Sequence, residues 1–104
     1  YVSWDKPDGD PNKTFNLIGK DVFAKLKAGT ILKVYYSVEP SDTYHQMQIM
    51  TAWWTLLPGS QKMDITGEGA YTYTLQQDAL DLIQQQDGFL VGGHGFYVDR
   101  VTVQ

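Results

Sequence analysis

Turn-forming residues interrupt this chain at short intervals, and their spacing restricts the fold more than any other feature. Glycine, proline, aspartate and asparagine cluster at residues 8–12, 28–29, 39–42, 58–59 and 87–88, with short apolar segments between them. Glycine and proline break regular structure, and Asp and Asn favour local turns. Short segments separated by turns are typical of an all-β sandwich or barrel. We therefore predict an all-β fold.

The periodicity of the segments assigns most of them to strands. Residues 30–38 alternate, which places Leu32, Val34, Tyr36 and Val38 on one face and Ile31, Lys33, Tyr35 and Ser37 on the other. Further strands are predicted at 15–18, 44–57, 69–75, 89–91 and 97–103. Residues 76–86 carry apolar side chains at roughly helical spacing, which predicts one short α-helix. Residues 21–27 fit either one helical turn or the end of a strand.

Size and composition limit the possible functions. The 104 residues suit a single domain covering 1–104, and the 42% of hydrophobic residues can fill one core. The net charge of −4 leaves no basic surface for a phosphate backbone, so no nucleic-acid partner is expected. No apolar run approaches the roughly 20 residues that span a bilayer, so no membrane partner is expected. Because the chain opens at Tyr1 without a Met, we interpret it as part of a longer polypeptide.

Few residues could carry catalysis. The chain has no cysteine, which excludes a disulfide, a thiolate metal site and a Cys nucleophile. Only His45 and His94 could act as bases, and no serine has a nucleophile-elbow pattern around it. The two glutamates, Glu39 and Glu68, lie in predicted loops rather than facing each other as glycosidase carboxylates do. We predict that the protein is not an enzyme.

The adjacent Trp53 and Trp54 are the strongest candidate binding residues. If alternation continues from Gln46, then Trp54 shares a face with Gln46 and Gln48, and Trp53 points into the core. An exposed indole beside two amides suits a sugar, because the ring stacks on C–H groups and the amides match hydroxyls. The alternative is that a bulge or covering loops bury Trp54 as well. Tyr35 and Lys33 are expected to extend the same surface.

Four further residues complete the candidate ligand-binding set. These are Trp4, Tyr44, His94 and Tyr97. Trp4 could instead plug a sheet edge, and the others lie at segment junctions. The glycine-rich segment 92–95 lacks a P-loop lysine and a following helix, so we interpret it as a tight turn that lets a ligand or a strand approach closely.

The acidic loop at 8–12 has part of a calcium-loop pattern. Asp8, Asp10 and Asn12 fall at alternate positions, as oxygen ligands do in such loops. Lys13 and Gly19 stand where that pattern has its glycine and its bidentate glutamate. Local Asx turns explain the same residues without a metal. A structural Ca²⁺ is therefore an open alternative, and no cofactor is required.

Several segments resemble one known family. The run LKAGTILKVYY at 26–36 resembles a strand of galactose-binding-like jelly rolls, and QMQI at 46–49 with Trp53 and Trp54 resembles the strand after it. Residues 71–75, the predicted helix, GFLVGG at 88–93 and the segment 98–103 resemble the rest of that fold. Over about residues 14–104 the chain is thus similar to bacterial carbohydrate-binding modules of plant-polysaccharide hydrolases.

This resemblance implies a fold, a ligand and a location. It implies a β-sandwich of jelly-roll type that binds β-1,4-linked glucan, xyloglucan or a related hemicellulose in an aromatic-lined groove. It also implies a secreted, extracellular, monomeric module linked to a glycoside hydrolase domain. The alternative from another class is a protein-binding or structural β-sandwich of a bacterial surface protein, with Trp54 and Tyr35 as anchors.

Overall fold

Seven strands and two short helices build the structure, a computed structural model that describes residues 1–104. In chain order they are β1 (Val2–Ser3), β2 (Ile18–Gly19), α1 (Lys20–Phe23), β3 (Thr30–Val38), β4 (Gln46–Thr51), β5 (Met63–Asp64), β6 (Glu68–Leu75), α2 (Gln77–Gln85) and β7 (Gly88–Val103). All strand pairs are antiparallel. The predicted all-β fold with one short helix near 76–86 is confirmed, and α1 adds a single helical turn.

The last strand, β7, organises the sheet. The strand order is β5-β4-β7-β3-β6, and β1 and β2 also pair with β7. Phe96 of β7 pairs with Val38 of β3 on one edge and with Val2 of β1 on the other. His94 pairs with Gln46 of β4, again opposite β1. Strands β4 and β3 therefore follow one another along the same edge of β7.

Two irregularities in β7 fold this sheet into two layers. Gly95 has φ +82 and lies where the register between β1 and β7 shifts. A second shift, between Tyr35 and Tyr36 of β3, leaves Asp99 without a counterpart. A bulge bends its strand and changes which residues face inward. One layer thus contains β5, β4 and the first half of β7, and the other contains β6, β3 and the second half, in a sandwich-like arrangement.

The core lies between the two layers. One layer contributes Leu32 and Val34, and the other contributes Met47 and Ile49, all fully buried. Helix α2 adds its buried positions Ala79, Leu80 and Ile83. At the same end, the ring of Phe23 lies 5.6 Å from that of Phe89. Neither helix is long and apolar enough to cross a bilayer.

Three predictions of segment boundaries are wrong. Of the predicted strand 15–18, only Ile18 lies in a strand, as the first residue of β2. Strand β4 ends at Thr51, so most of the predicted strand 44–57 is turn and loop. The predicted strands 89–91 and 97–103 are one continuous strand, and residues 92–95 are part of it rather than a tight turn. The expected close approach does occur there, because a Cβ on Gly93 would lie 2.0 Å from the Gln46 carbonyl oxygen.

Candidate functional site

The outer face of β4 presents a row of polar side chains. Gln46 and Gln48 point away from the core, because they alternate with the buried Met47 and Ile49. Gln46 donates from Nε2 to Asp64 Oδ1 of β5 at 3.0 Å. Gln48 lies opposite Gly92 of β7 and is partly buried. Its Nε2 donates to Sδ of the buried Met50 at 3.4 Å, and the methyl group of Met50 lies over Gly92.

Aromatic side chains stand at the β1 end of this row. The rings of Tyr44 and His94 stack with centroids 4.3 Å apart. Trp4 donates from Nε1 to the Tyr44 hydroxyl at 3.1 Å, and its backbone N–H donates to Gly93 O at 2.7 Å. Because its hydroxyl is held by Trp4 and one ring face lies on His94, Tyr44 has a fixed orientation while remaining 40% exposed.

Polar partners surround the imidazole of His94. Its Nδ1 lies 2.8 Å from Ser3 Oγ, and its Nε2 lies 3.6 Å from Asp42 Oδ1. The Asp5 carboxylate lies 3.6 Å from Nδ1. This set has the composition of a hydrolytic triad, but Ser3 is only 2% exposed and its Oγ accepts the Asp5 N–H. A substrate cannot reach that hydroxyl, so the arrangement supports the Tyr44 ring.

The two tryptophans lie in a turn beyond the end of β4. Trp53 is 60% exposed and Trp54 is 41% exposed, so the prediction that Trp53 belongs to the core is wrong. The reason is that strand alternation ends at Thr51, and Trp54 takes the left-handed conformation with φ 67. Trp53 donates from Nε1 to Asp87 Oδ2 at 3.1 Å, which fixes the edge of its ring.

Trp54 lies against the loop before β2. The Lys13 ammonium is 5.9 Å from the centre of its ring. Trp54 follows β4, whereas the loop of Lys13 leads into Phe15, whose N–H bonds to Val91 O of β7. Strand β7 lies between these two segments, and the inner face of β7 belongs to the core. The contact between Trp54 and Lys13 therefore crosses the outer face of β7. A pocket of about 350 Å³ opens between Trp54 and the loop.

The carboxylates proposed for calcium have protein partners. Asp8 pairs with the Lys13 ammonium at 3.1 Å, and Asp10 Oδ1 accepts the N–H of Asn12 at 2.8 Å. The second contact is the Asx turn that the sequence allowed. No group of three or more His, Cys, Asp or Glu side chains in the structure could hold a metal ion. Calcium binding at this loop stays a prediction.

Three predicted site residues lie elsewhere. Tyr35 and Lys33 are on the outer face of the β3 layer, so they do not extend the surface of Gln46 and Gln48. The Arg100 guanidinium lies 4.1 Å from the Tyr35 ring centre and lowers the pKa of its hydroxyl through a hydrogen bond. A pocket of about 580 Å³ opens beside this pair. Tyr97 donates to Glu39 Oε1 at 2.8 Å, which raises the Tyr97 pKa.

We give the name aromatic–amide face to the outer surface formed by Trp4, Tyr44, Gln46, Gln48 and Trp54, together with His94, which lies beneath the Tyr44 ring. Sequence reasoning picked each of these side chains but missed the residues that hold them. Ser3, which contacts His94, and Asp64, which accepts from Gln46, are the main examples, and each meets its partner through strand pairing. No local sequence pattern marks them.

A comparison with solved structures finds a close likeness. The chain is 59% identical to SGBP-B of the mixed-linkage glucan utilization locus of Bacteroides ovatus, solved in complex with a mixed-linkage heptasaccharide, with a TM-score of 0.94. The match covers 100% of this chain and 26% of the SGBP-B chain, so the chain spans about a quarter of that protein. No family model and no curated protein matches the chain.

Proposed function

We propose that this chain is a non-catalytic glycan-binding domain that binds mixed-linkage β-glucan on its aromatic–amide face. The observation that carries the proposal is the placement of two amides, Gln46 and Gln48, between exposed aromatic rings on one sheet surface. The 59% identity to SGBP-B, which was solved with a mixed-linkage heptasaccharide, supports the same ligand class.

The chemistry of the face fits a sugar chain. Indole and phenol rings offer flat apolar surfaces to the C–H groups of a pyranose. The amide of Gln48 both donates and accepts, as sugar hydroxyls do. Gln48 is partly exposed, and its Nε2 has only the weak acceptor Met50 Sδ at 3.4 Å, which a sugar hydroxyl could replace. Contacts within the protein, such as that of Ser3 with His94, hold the rings in place, and a site held in this way lowers the ordering cost of binding.

The same geometry supports a non-catalytic role. The one Ser–His–Asp cluster is buried beneath Tyr44, and Asp64 is hydrogen-bonded to Gln46. Neither arrangement presents a free acid and base to a ligand on the face. The domain would then hold glucan for other parts of a longer extracellular polypeptide. Linkage to a glycoside hydrolase, monomeric state and jelly-roll connectivity stay predictions.

Affinity gels with separate polysaccharides test the proposal. Barley mixed-linkage β-glucan should retard the domain, whereas xylan and mannan should do so less or not at all. Tyr35→Ala is the matched control, because it removes an aromatic ring from the other layer and should leave retardation unchanged. Isothermal titration should show little dependence on salt, since no ion pair with the ligand is involved. Absence of binding to every polysaccharide would overturn the proposal, and a steep salt dependence would favour a charged protein partner.

A further inference from the structure

Hydrogen bonds to a single residue, Thr51, close the turn that contains both tryptophans. The Thr51 hydroxyl oxygen accepts the backbone N–H of Trp53 at 3.2 Å and that of Thr55 at 3.3 Å. The N–H between them, from Trp54, donates to the Thr51 carbonyl oxygen at 2.9 Å. The Thr51 N–H donates in turn to Thr55 O at 2.8 Å. Three successive amides of the turn are thus all directed at one residue.

The Thr51 hydroxyl also joins the turn to helix α2. It donates to Gln86 Oε1 at 2.6 Å, and Gln86 follows the last residue of the helix. The next residue, Asp87, accepts the Trp53 indole N–H. Because Thr51 is fully buried, water cannot replace the hydrogen bonds of its hydroxyl. The end of α2 therefore fixes both the backbone of the turn and the ring of Trp53.

The conformation of Trp54 explains why such a support is needed. Its φ of 67 lies in the left-handed region, which bulky residues avoid. Such conformations persist only where the surroundings enforce them, and they concentrate at ligand-binding sites. The hydrogen bonds to Thr51 hold the turn in which Trp54 takes this conformation.

We propose that Thr51, supported by Gln86, is a positioning residue that holds Trp54 in its ligand-binding orientation. The proposal rests on the glycan-binding function argued above, because it explains how the Trp54 ring is held on the aromatic–amide face. Thr51 does not touch the ligand, because it has no exposed surface. It acts through the backbone of the turn.

Three variants separate this role from general stability. Thr51→Val keeps the shape of the side chain and removes the hydroxyl, whereas Thr51→Ser keeps the hydroxyl. Thr102→Val is the matched control, because Thr102 Oγ1 is buried without a hydrogen-bond partner in the other layer. If Thr51→Val does not fold, Gln86→Leu removes only the acceptor of the Thr51 hydroxyl and should give a smaller effect of the same kind.

Titration with a mixed-linkage heptasaccharide gives the first measurement. Thr51→Val should weaken binding at least about tenfold, which corresponds to about 1.4 kcal/mol. Thr51→Ser and Thr102→Val should stay within about twofold of the unmodified domain. Equal affinities for Thr51→Val and Thr102→Val would overturn the proposal, as would failure of Thr51→Ser to retain binding.

Hydrogen exchange gives a second measurement that needs no ligand. The amides of Trp53 and Thr55 should exchange faster in Thr51→Val than in Thr51→Ser, while the amides of β3 stay protected in both. Unchanged exchange of the turn would overturn the positioning role. If the unmodified domain bound no glucan, the proposed function would fail, and faster exchange in Thr51→Val would still support control of the turn by Thr51.

Discussion

At the scale of single residues, Trp53 and Trp54 are exposed and contribute little to the core. Trp54→Ala should weaken glucan binding at least about tenfold and change stability by about 0.5 kcal/mol or less, as exposed substitutions usually do. Trp53→Ala should cost about 1 kcal/mol, since it loses one hydrogen bond to Asp87. Titration and thermal unfolding of both variants measure these effects. A cost of about 3–5 kcal/mol for Trp53→Ala would mean that its ring is packed as core.

Gln48 should act on affinity through its amide. Replacing Gln48 by Ala removes donors and an acceptor opposite Gly92 and should weaken binding by about 1–2 kcal/mol. The substitution should also reduce the difference in affinity between preferred and poor glycans. A glycan that lacks the matching hydroxyl would no longer leave the Gln48 amide unpaired. Titration with two glycans measures both effects. A variant that binds both glycans like the unmodified domain would show that Gln48 does not touch the ligand.

Gly93 should be irreplaceable on steric grounds. A Cβ there would lie 2.0 Å from the Gln46 carbonyl oxygen, and the residue has φ +135. Gly93→Ala should therefore destabilise the protein by about 3 kcal/mol or more. Gly67→Ala is the control, because Gly67 has positive φ but open space around it, and should cost about 1–2 kcal/mol. Urea unfolding compares the two, and equal costs would mean that β4 can move away from β7.

At the scale of elements, periodicity predicted the bounds of those strands and helices that depend only on their own residues. Strand β3 was predicted with its observed bounds, and β6 and α2 within one residue at each end. The end of β4 was missed because a tryptophan rarely takes positive φ, so the doubled Trp pattern indicated a longer strand. The continuity of β7 was missed because Gly95 forms a bulge, whose difference from a turn depends on distant pairing partners.

The loop of residues 4–14 gives a prediction about metal. Since Lys13 already neutralises Asp8, and Asp10 accepts a backbone N–H, removal of divalent ions with EDTA should change neither the melting temperature nor glucan binding. Thermal unfolding with and without EDTA measures the first, and titration measures the second. A fall in melting temperature that Ca²⁺ restores and Mg²⁺ does not would instead establish calcium in this loop.

At the scale of the whole molecule, the aromatic–amide face depends on pairing across three strands. Trp4 is far in sequence from Tyr44 and Gln46 and meets them because β1 and β4 lie on opposite edges of β7. Sequence reasoning identified these residues by type but could not group them. It placed Tyr35 with them because β3 precedes β4 in the chain, whereas the folding of β7 puts these strands in opposite layers.

Stability should decrease in alkaline solution. Burial and the hydrogen bond from its hydroxyl to Asp42 raise the pKa of Tyr1 from 10.0 to about 12, and donation to Glu39 raises the pKa of Tyr97. A raised folded-state pKa gives stability that is complete below the unfolded value and is lost as pH rises through the folded one. Urea unfolding should show the free energy falling from about pH 10 towards 12, with a shallower fall in Tyr1→Phe. A constant free energy over this range would contradict the role of these phenols.

The position of β7 in the chain also sets the timing of assembly during synthesis. Within this domain β7 follows every other strand in sequence, yet it pairs with β1, β2, β3 and β4. Only the β3–β6 and β4–β5 pairs can form before the ribosome has made it. The apolar segments of the nascent domain therefore stay exposed until β7 emerges from the ribosome. Folding that depends on such distant contacts is slow. Without β7, neither layer would be complete.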